Sequence, residues 1–120
     1  MTYQKQIGTH GERIAAQYLK DKGYQVIDQN FHAAYGEIDL IALEGDTVVF
    51  VEVKTRTSRT FGLPEESITP TKMDRMQKTA LMWLQAHPNS PENWRIDVIA
   101  LLLDRQFNIK DLQHFINAYL

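Results

Sequence analysis

The chain contains no cysteine, which excludes a disulfide framework and a thiolate zinc site. It also lacks any run approaching the roughly 20 apolar residues that a membrane span requires. No apolar signal core follows Met1-Thr2-Tyr3-Gln4-Lys5, so a cytoplasmic protein with no membrane partner is expected. The absence of a glycine-rich phosphate loop argues against nucleoside-triphosphate hydrolysis. Ser58, Ser67 and Ser90 have no nucleophile-elbow or base context. His10, His32, His87 and His114 are scattered without zinc-ligand spacing and read as surface or helix-end residues. Neither sign of charge prevails, since 13 basic residues face 15 acidic ones. The net charge of -2 argues mildly against a nucleic-acid binder.

What is present suits one globular domain over residues 1–120, with 43% hydrophobic and 23% charged residues. Ile7, Gly11, Ile14, Ala15, Tyr18 and Leu19 recur at helical spacing, so a helix is expected over Tyr3–Lys22, ended by Gly23. Tyr24–Asp28 reads as a strand, followed by a polar connection through Asn30 and His32. Glu37–Leu43 and Thr47–Thr55 read as a hairpin around Glu44-Gly45-Asp46. Arg56–Ser67 lacks periodicity and reads as a loop. Thr69-Pro70 starts a second helix, a cap residue followed by proline at the first helical position. Met73, Met76 and Trp83 mark its core face, and His87–Pro91 stops it. Trp94–Leu103 is a strongly apolar strand turned by Asp104-Arg105. The last segment is strand to about Lys110, then more strand or a short helix. The order α-β-β-β-α-β-β suits an α/β fold with a mixed central sheet flanked by helices.

The most informative stretch is Glu52-Val53-Lys54, at the end of the apolar run Thr47–Val51. Alternation along a strand puts Phe50, Glu52 and Lys54 on one face. Pairing with the preceding strand can bring Asp39 beside them on a half-buried surface. Two carboxylates and an ammonium there are costly without partners or a metal ion. A lone Glu-x-Lys is ordinarily an exposed ion pair worth about 0–1 kcal/mol. The set, lying inside apolar strands, points instead to a site. Charge is uneven as well, with the window Lys54–Lys78 at +3 and the remainder at -5. Arg95 and Asp97 share a strand face and read as a structural pair.

Asp39, a spacer of twelve residues, then Glu52-Val53-Lys54 fits the restriction-endonuclease-like, PD-(D/E)xK, nuclease superfamily. The chain resembles one branch of it, the small bacterial YraN-like proteins, related to archaeal Holliday-junction resolvases. The matching stretches include Gly8–Glu12, Gly36–Ile41, Val49–Arg56, Lys72, Arg75, Arg95–Val98 and Asn117-Ala118, and cover nearly the whole chain. Ile38 stands where the superfamily name has proline, which leaves the ligand at position 39 intact. The resemblance implies a restriction-endonuclease-like fold, a further acid at Glu12, and an endonuclease acting on branched or structured DNA. By the same analogy a homodimer is expected.

The chemistry follows from the residues. Phosphodiester hydrolysis needs a more basic water and relief for charge developing on phosphate, which Mg²⁺ or Mn²⁺ supplies. Asp39 and Glu52 are the expected direct ligands, with the Val53 carbonyl a candidate third. Lys54 would orient the water or hold a nonbridging phosphate oxygen. Glu12 would complete a second metal position or fix a metal-bound water, although alone it reads as a solvated helix residue. Glu37 is a reserve ligand, better read as a strand-end charge. Arg56, Arg59, Lys72, Arg75 and Lys78 are candidate phosphate contacts, sequence-independent and salt-sensitive. The runner-up reading is a nucleic-acid-binding module that keeps the fold without significant turnover. A protein-interaction adaptor is a third.

Overall fold

A computed structural model describes residues 2–57 and 68–118. The elements run α1 (Tyr3–Asp21), β1 (Gln25–Ala33), β2 (Gly36–Glu44), β3 (Thr47–Arg56), α2 (Pro70–Ala86), β4 (Asn93–Leu103) and β5 (Ile109–Phe115). They form the expected mixed α/β architecture. One sheet of order β1-β2-β3-β4-β5 is antiparallel at every seam except β3–β4, which is parallel. Among the described residues no helix is long and apolar enough to cross a membrane.

Alternation along β3 divides the core in two. Val49, Val51 and Val53 pack with Ala15, Ala16 and Leu19 of α1. Val48 and Phe50 pack with Met73, Met76, Ala80 and Trp83 of α2. The helices therefore cover opposite faces, and β3 carries apolar side chains on both.

Local signals set the helix ends. Thr2 and Thr69 cap α1 and α2, their hydroxyls accepting from the Lys5 and Lys72 N–H groups. Gly23 adopts φ 93°, a left-handed turn that suits glycine, while its N–H and that of Tyr24 bond back to Lys20 and Leu19 carbonyls.

β1 is longer than expected. It continues through Asn30 and His32 to Ala33, and a two-residue turn at Ala34-Tyr35 leads into β2. β1 is an edge strand with much of its length exposed, and a register shift between Val26 and Asp28 interrupts its alternation. Those polar residues therefore mimic a connection. β5 ends the ambiguity after Phe107 as strand to Phe115.

At Gly11, α1 packs tightly against Thr55 of β3. A Cβ there would fall within the van der Waals shell of Thr55 Oγ1, with the Thr55 Cβ also crowded. Overpacking of this kind costs about 1–3 kcal/mol. Gly11→Ala should therefore lower the melting temperature by roughly 4–12 °C. Adding Thr55→Ala should recover part of the loss. Thermal melts of the two variants check both effects.

Candidate functional site

The β2–β3 ladder stops at Leu40–Val51. The next pair along that register is Asp39 opposite Glu52, where facing Cβ atoms stand about 4.5–5.5 Å apart in a regular sheet. The strands depart from a plain ladder here, because the Val53 N–H donates to Asp39 Oδ2 at 2.8 Å. The alternation of β2 breaks at the same place. Ile38 joins the α2 cluster although Leu40, two residues on, joins that of α1. A strand that has lost its ladder is free to turn a carboxylate toward its neighbour.

Glu52 and Lys54 are 3.5 Å apart, with side chains 12% and 15% exposed. That burial rules out the ordinary surface ion pair. Lys72 approaches from α2, and its ammonium is held below the usual lysine range, first by burial and then by Lys54. Burial pushes the Glu52 carboxyl up to about 7, Asp39 adding to the rise and both lysines opposing it. Asp39 is raised too, chiefly by burial, against the Val53 N–H that favours its charged form. Glu12, from α1, is pushed up to about 7 by burial and by the charges of Asp39 and Glu37. Its Oε1 is buried with no hydrogen-bond partner. The four elements thus converge on an acid-rich spot that two ammonium groups only partly neutralise.

Glu12, Asp39, Glu52 and Lys54 line a hollow of about 610 Å³, rimmed also by Tyr3, Gln4 and Arg56. Its lining contains no histidine, so its donors are carboxylate and carbonyl oxygens, the ligands hard cations prefer. Among the described residues no three His, Cys, Asp or Glu side chains are grouped as a ready metal cage. Mg²⁺ does not need one, since it keeps several waters and takes one or two carboxylates plus substrate phosphate. The unpartnered Glu12 Oε1, in the same hollow as Asp39 and Glu52, fits such an ion.

Of the residues expected from sequence, Glu12, Asp39, Glu52, Val53, Lys54 and Arg56 share this hollow, and Lys72 acts electrostatically on it. Glu12 is half-buried rather than a solvated helix residue. Glu37 is exposed and pairs with His32 at 3.1 Å, as a strand-end charge should. Arg75 and Lys78 are exposed on α2 outside the first hollow, and Lys78 pairs with Asp74 at 3.1 Å. Arg59, and the Arg56–Ser67 loop from residue 58, lie outside the described residues.

Arg95 and Asp97 do pair, at 2.9 Å. His114 is not a surface residue: its side chain is 8% exposed and its Nε2 donates to Asp97 Oδ2 at 2.8 Å. Asp97 also accepts from the Asn117 N–H, and the Tyr18 hydroxyl lies 3.1 Å from His114 Nδ1. Such a cluster leaves no local spacing signal, because its members are scattered from α1 to beyond β5.

Comparison with known proteins gives a consistent grouping. A model of a family described as "Uncharacterised protein family UPF0102" matches residues 11–101. A UPF0102 protein of Syntrophomonas wolfei is 42% identical over 115 residues, covering 96% of this chain and 98% of its own. One from Pelotomaculum thermopropionicum is 42% identical over 115 residues, covering 96% of each. One from Rhodococcus opacus is 43% identical over 103 residues, covering 86% of this chain and 87% of its own.

Proposed function

The chain belongs to the uncharacterised protein family UPF0102, and from that starting point we propose that it is a restriction-endonuclease-like, metal-dependent endonuclease. Its substrate is cytoplasmic DNA, branched or otherwise structured. The observation that carries this reading is the facing pair Asp39 and Glu52, largely buried, both carboxyls raised, with two lysines against them. A bound Mg²⁺ or Mn²⁺ would make a water more nucleophilic and neutralise charge on the phosphate. Asp39, Glu52 and the Val53 carbonyl would hold it, and Glu12 would fix a water on it. The Val53 N–H keeps one Asp39 oxygen in place. Lys54 orients the water or grips a nonbridging oxygen, and Lys72 adds positive charge where the phosphate enters. A homodimer, giving two such sites, suits paired cuts in a symmetric branch.

Binding without turnover is the second reading. It is favoured by the direct Glu52–Lys54 contact, in which an internal cation already balances one acid. Incubation with junction, flap and duplex DNA, with and without Mg²⁺ or Mn²⁺, separates the two. Metal-dependent cleavage that Lys54→Ala abolishes supports the endonuclease; shifted mobility with intact strands supports the binding module.

A metal ligand must be deprotonated, so ion binding competes with the protons on Glu12 and Glu52. Both carboxyls are raised to about 7. Mn²⁺ affinity measured by calorimetry should climb about tenfold or more per pH unit below that value and level off above it.

A further inference from the structure

A second hollow, of about 620 Å³, lies beside the first, and Glu37 lines both. Its walls are the β1–β2 turn and the exposed face of α2, with Tyr35, Thr71, Arg75 and Lys78 among its lining residues. Tyr35 is 53% exposed and belongs to neither core cluster. A lone exposed tyrosine is ordinary. Three observations set this one apart. It sits in a two-residue turn, so its backbone is held by the Ala33–Gly36 pair of the sheet. The Lys78 ammonium lies 5.4 Å from its ring centroid, a cation–π contact that steadies the ring. Finally, it lines a hollow that shares Glu37 with the acid-rich one. Of the acids of this second hollow, Asp74 is matched by Lys78 and Glu37 contacts the His32 imidazole. Among the described residues no acid is paired with the Arg75 guanidinium, which is placed to meet an incoming anion.

Resting on the nuclease reading above, we propose that Tyr35 is a stacking platform for an unpaired base of the DNA strand held at Asp39 and Glu52. Arg75 contacts a phosphate of the same strand. A base inside a continuous duplex has both faces covered by its neighbours and offers none to a tyrosine ring. An unpaired base at a gap, flap or branch does, and base–aromatic stacking contributes about 1–3 kcal/mol. The substrate class selected is DNA with an unpaired nucleotide beside the cut, recognised by the aromatic ring and not by base-edge hydrogen bonds.

The test uses the full chain with Ca²⁺ replacing the catalytic ion and a duplex carrying 2-aminopurine opposite a short gap. Wild type and Tyr35→Phe should quench the 2-aminopurine fluorescence, and Tyr35→Leu should not. Tyr35→Leu should weaken binding to the gapped probe by about 5- to 150-fold, leaving affinity for continuous duplex within about twofold of wild type. Equal weakening on both DNAs, or quenching that survives in Tyr35→Leu, overturns the proposal. Quenching that depends on Tyr35 in a protein that never cuts in Mg²⁺ or Mn²⁺ keeps the platform and removes the nuclease reading. Cleavage indifferent to Tyr35 and to unpaired bases does the reverse.

Discussion

Glu52→Gln is expected to lower DNA cleavage in Mg²⁺ or Mn²⁺ by about 10³-fold or more while leaving the protein folded. The substitution keeps the size of the side chain and removes the negative charge that would hold the ion. Loss of about 4 kcal/mol of transition-state stabilisation corresponds to that factor. Stability should move the other way. The Glu52 carboxyl is raised from 4.5 to about 7, so between those values the native state keeps a proton that the unfolded chain has released. The metal-free protein therefore loses stability as pH rises through that window. A neutral glutamine removes this penalty. Above pH 7 the variant should melt at or above the wild-type temperature in chelator. Opposite movements of cleavage and melting temperature are the signature of a functional acid. A variant that unfolds as it loses cleavage would mark Glu52 as structural, and one that cuts normally would end its role as a ligand.

Asp97→Asn should produce the largest loss of stability, about 3–5 kcal/mol, the usual cost of breaking a buried ion pair from one side. Asp97 is 0% exposed. Burial works to raise its carboxyl, yet hydrogen bonds from His114, Arg95 and the Asn117 N–H hold it below the usual carboxylate range. One amide oxygen cannot replace two carboxylate oxygens that accept from three partners. On the order of 10–20 °C in melting temperature should be lost. The pH dependence has a definite sign. A lowered folded value means that the unfolded chain binds protons more readily, so this contribution is complete above about 3.8 and fades as pH falls through the native value. Melts from neutral to strongly acidic pH should show the variant approaching wild type as acid removes what the mutation had removed. A melting temperature within a few degrees of wild type at neutral pH would show that the cluster does not hold β5 to the sheet.

Most of the frame was legible because its signals are local. Thr69-Pro70 and Gly23 mark helix ends within a few residues of where they act. The apolar run of β3 and the glycine turn before it specify a hairpin without help from distant residues. Asp39 and Glu52 were legible for the same reason, being neighbours across that hairpin. The full length of β1 is not legible, because an exposed edge strand is under little pressure to alternate cleanly. The buried role of His114 is not legible, because its partner Asp97 is reached only when β4 and β5 pair. Lys72 appeared as a surface phosphate contact, but packing of α2 over the sheet carries it toward Asp39 and Glu52, an effect helix periodicity cannot reveal. Tyr35 carries no sequence signal, since nothing in Ala33-Ala34-Tyr35-Gly36 tells which side of the turn meets α2.

The parallel β3–β4 seam has a bearing on how copies of this protein come into being. β1, β2 and β3 form a meander that can zip up early, whereas β4 contributes ten register pairs to β3 only after α2 has been traversed. Contacts so distant in sequence form late. A nascent chain still on the ribosome would thus present its paired acids before the lysine of α2, or the strand that buttresses β3, had arrived. Half-made copies therefore carry Asp39 and Glu52 without the α2 lysine and the β4 strand that flank them in the finished fold.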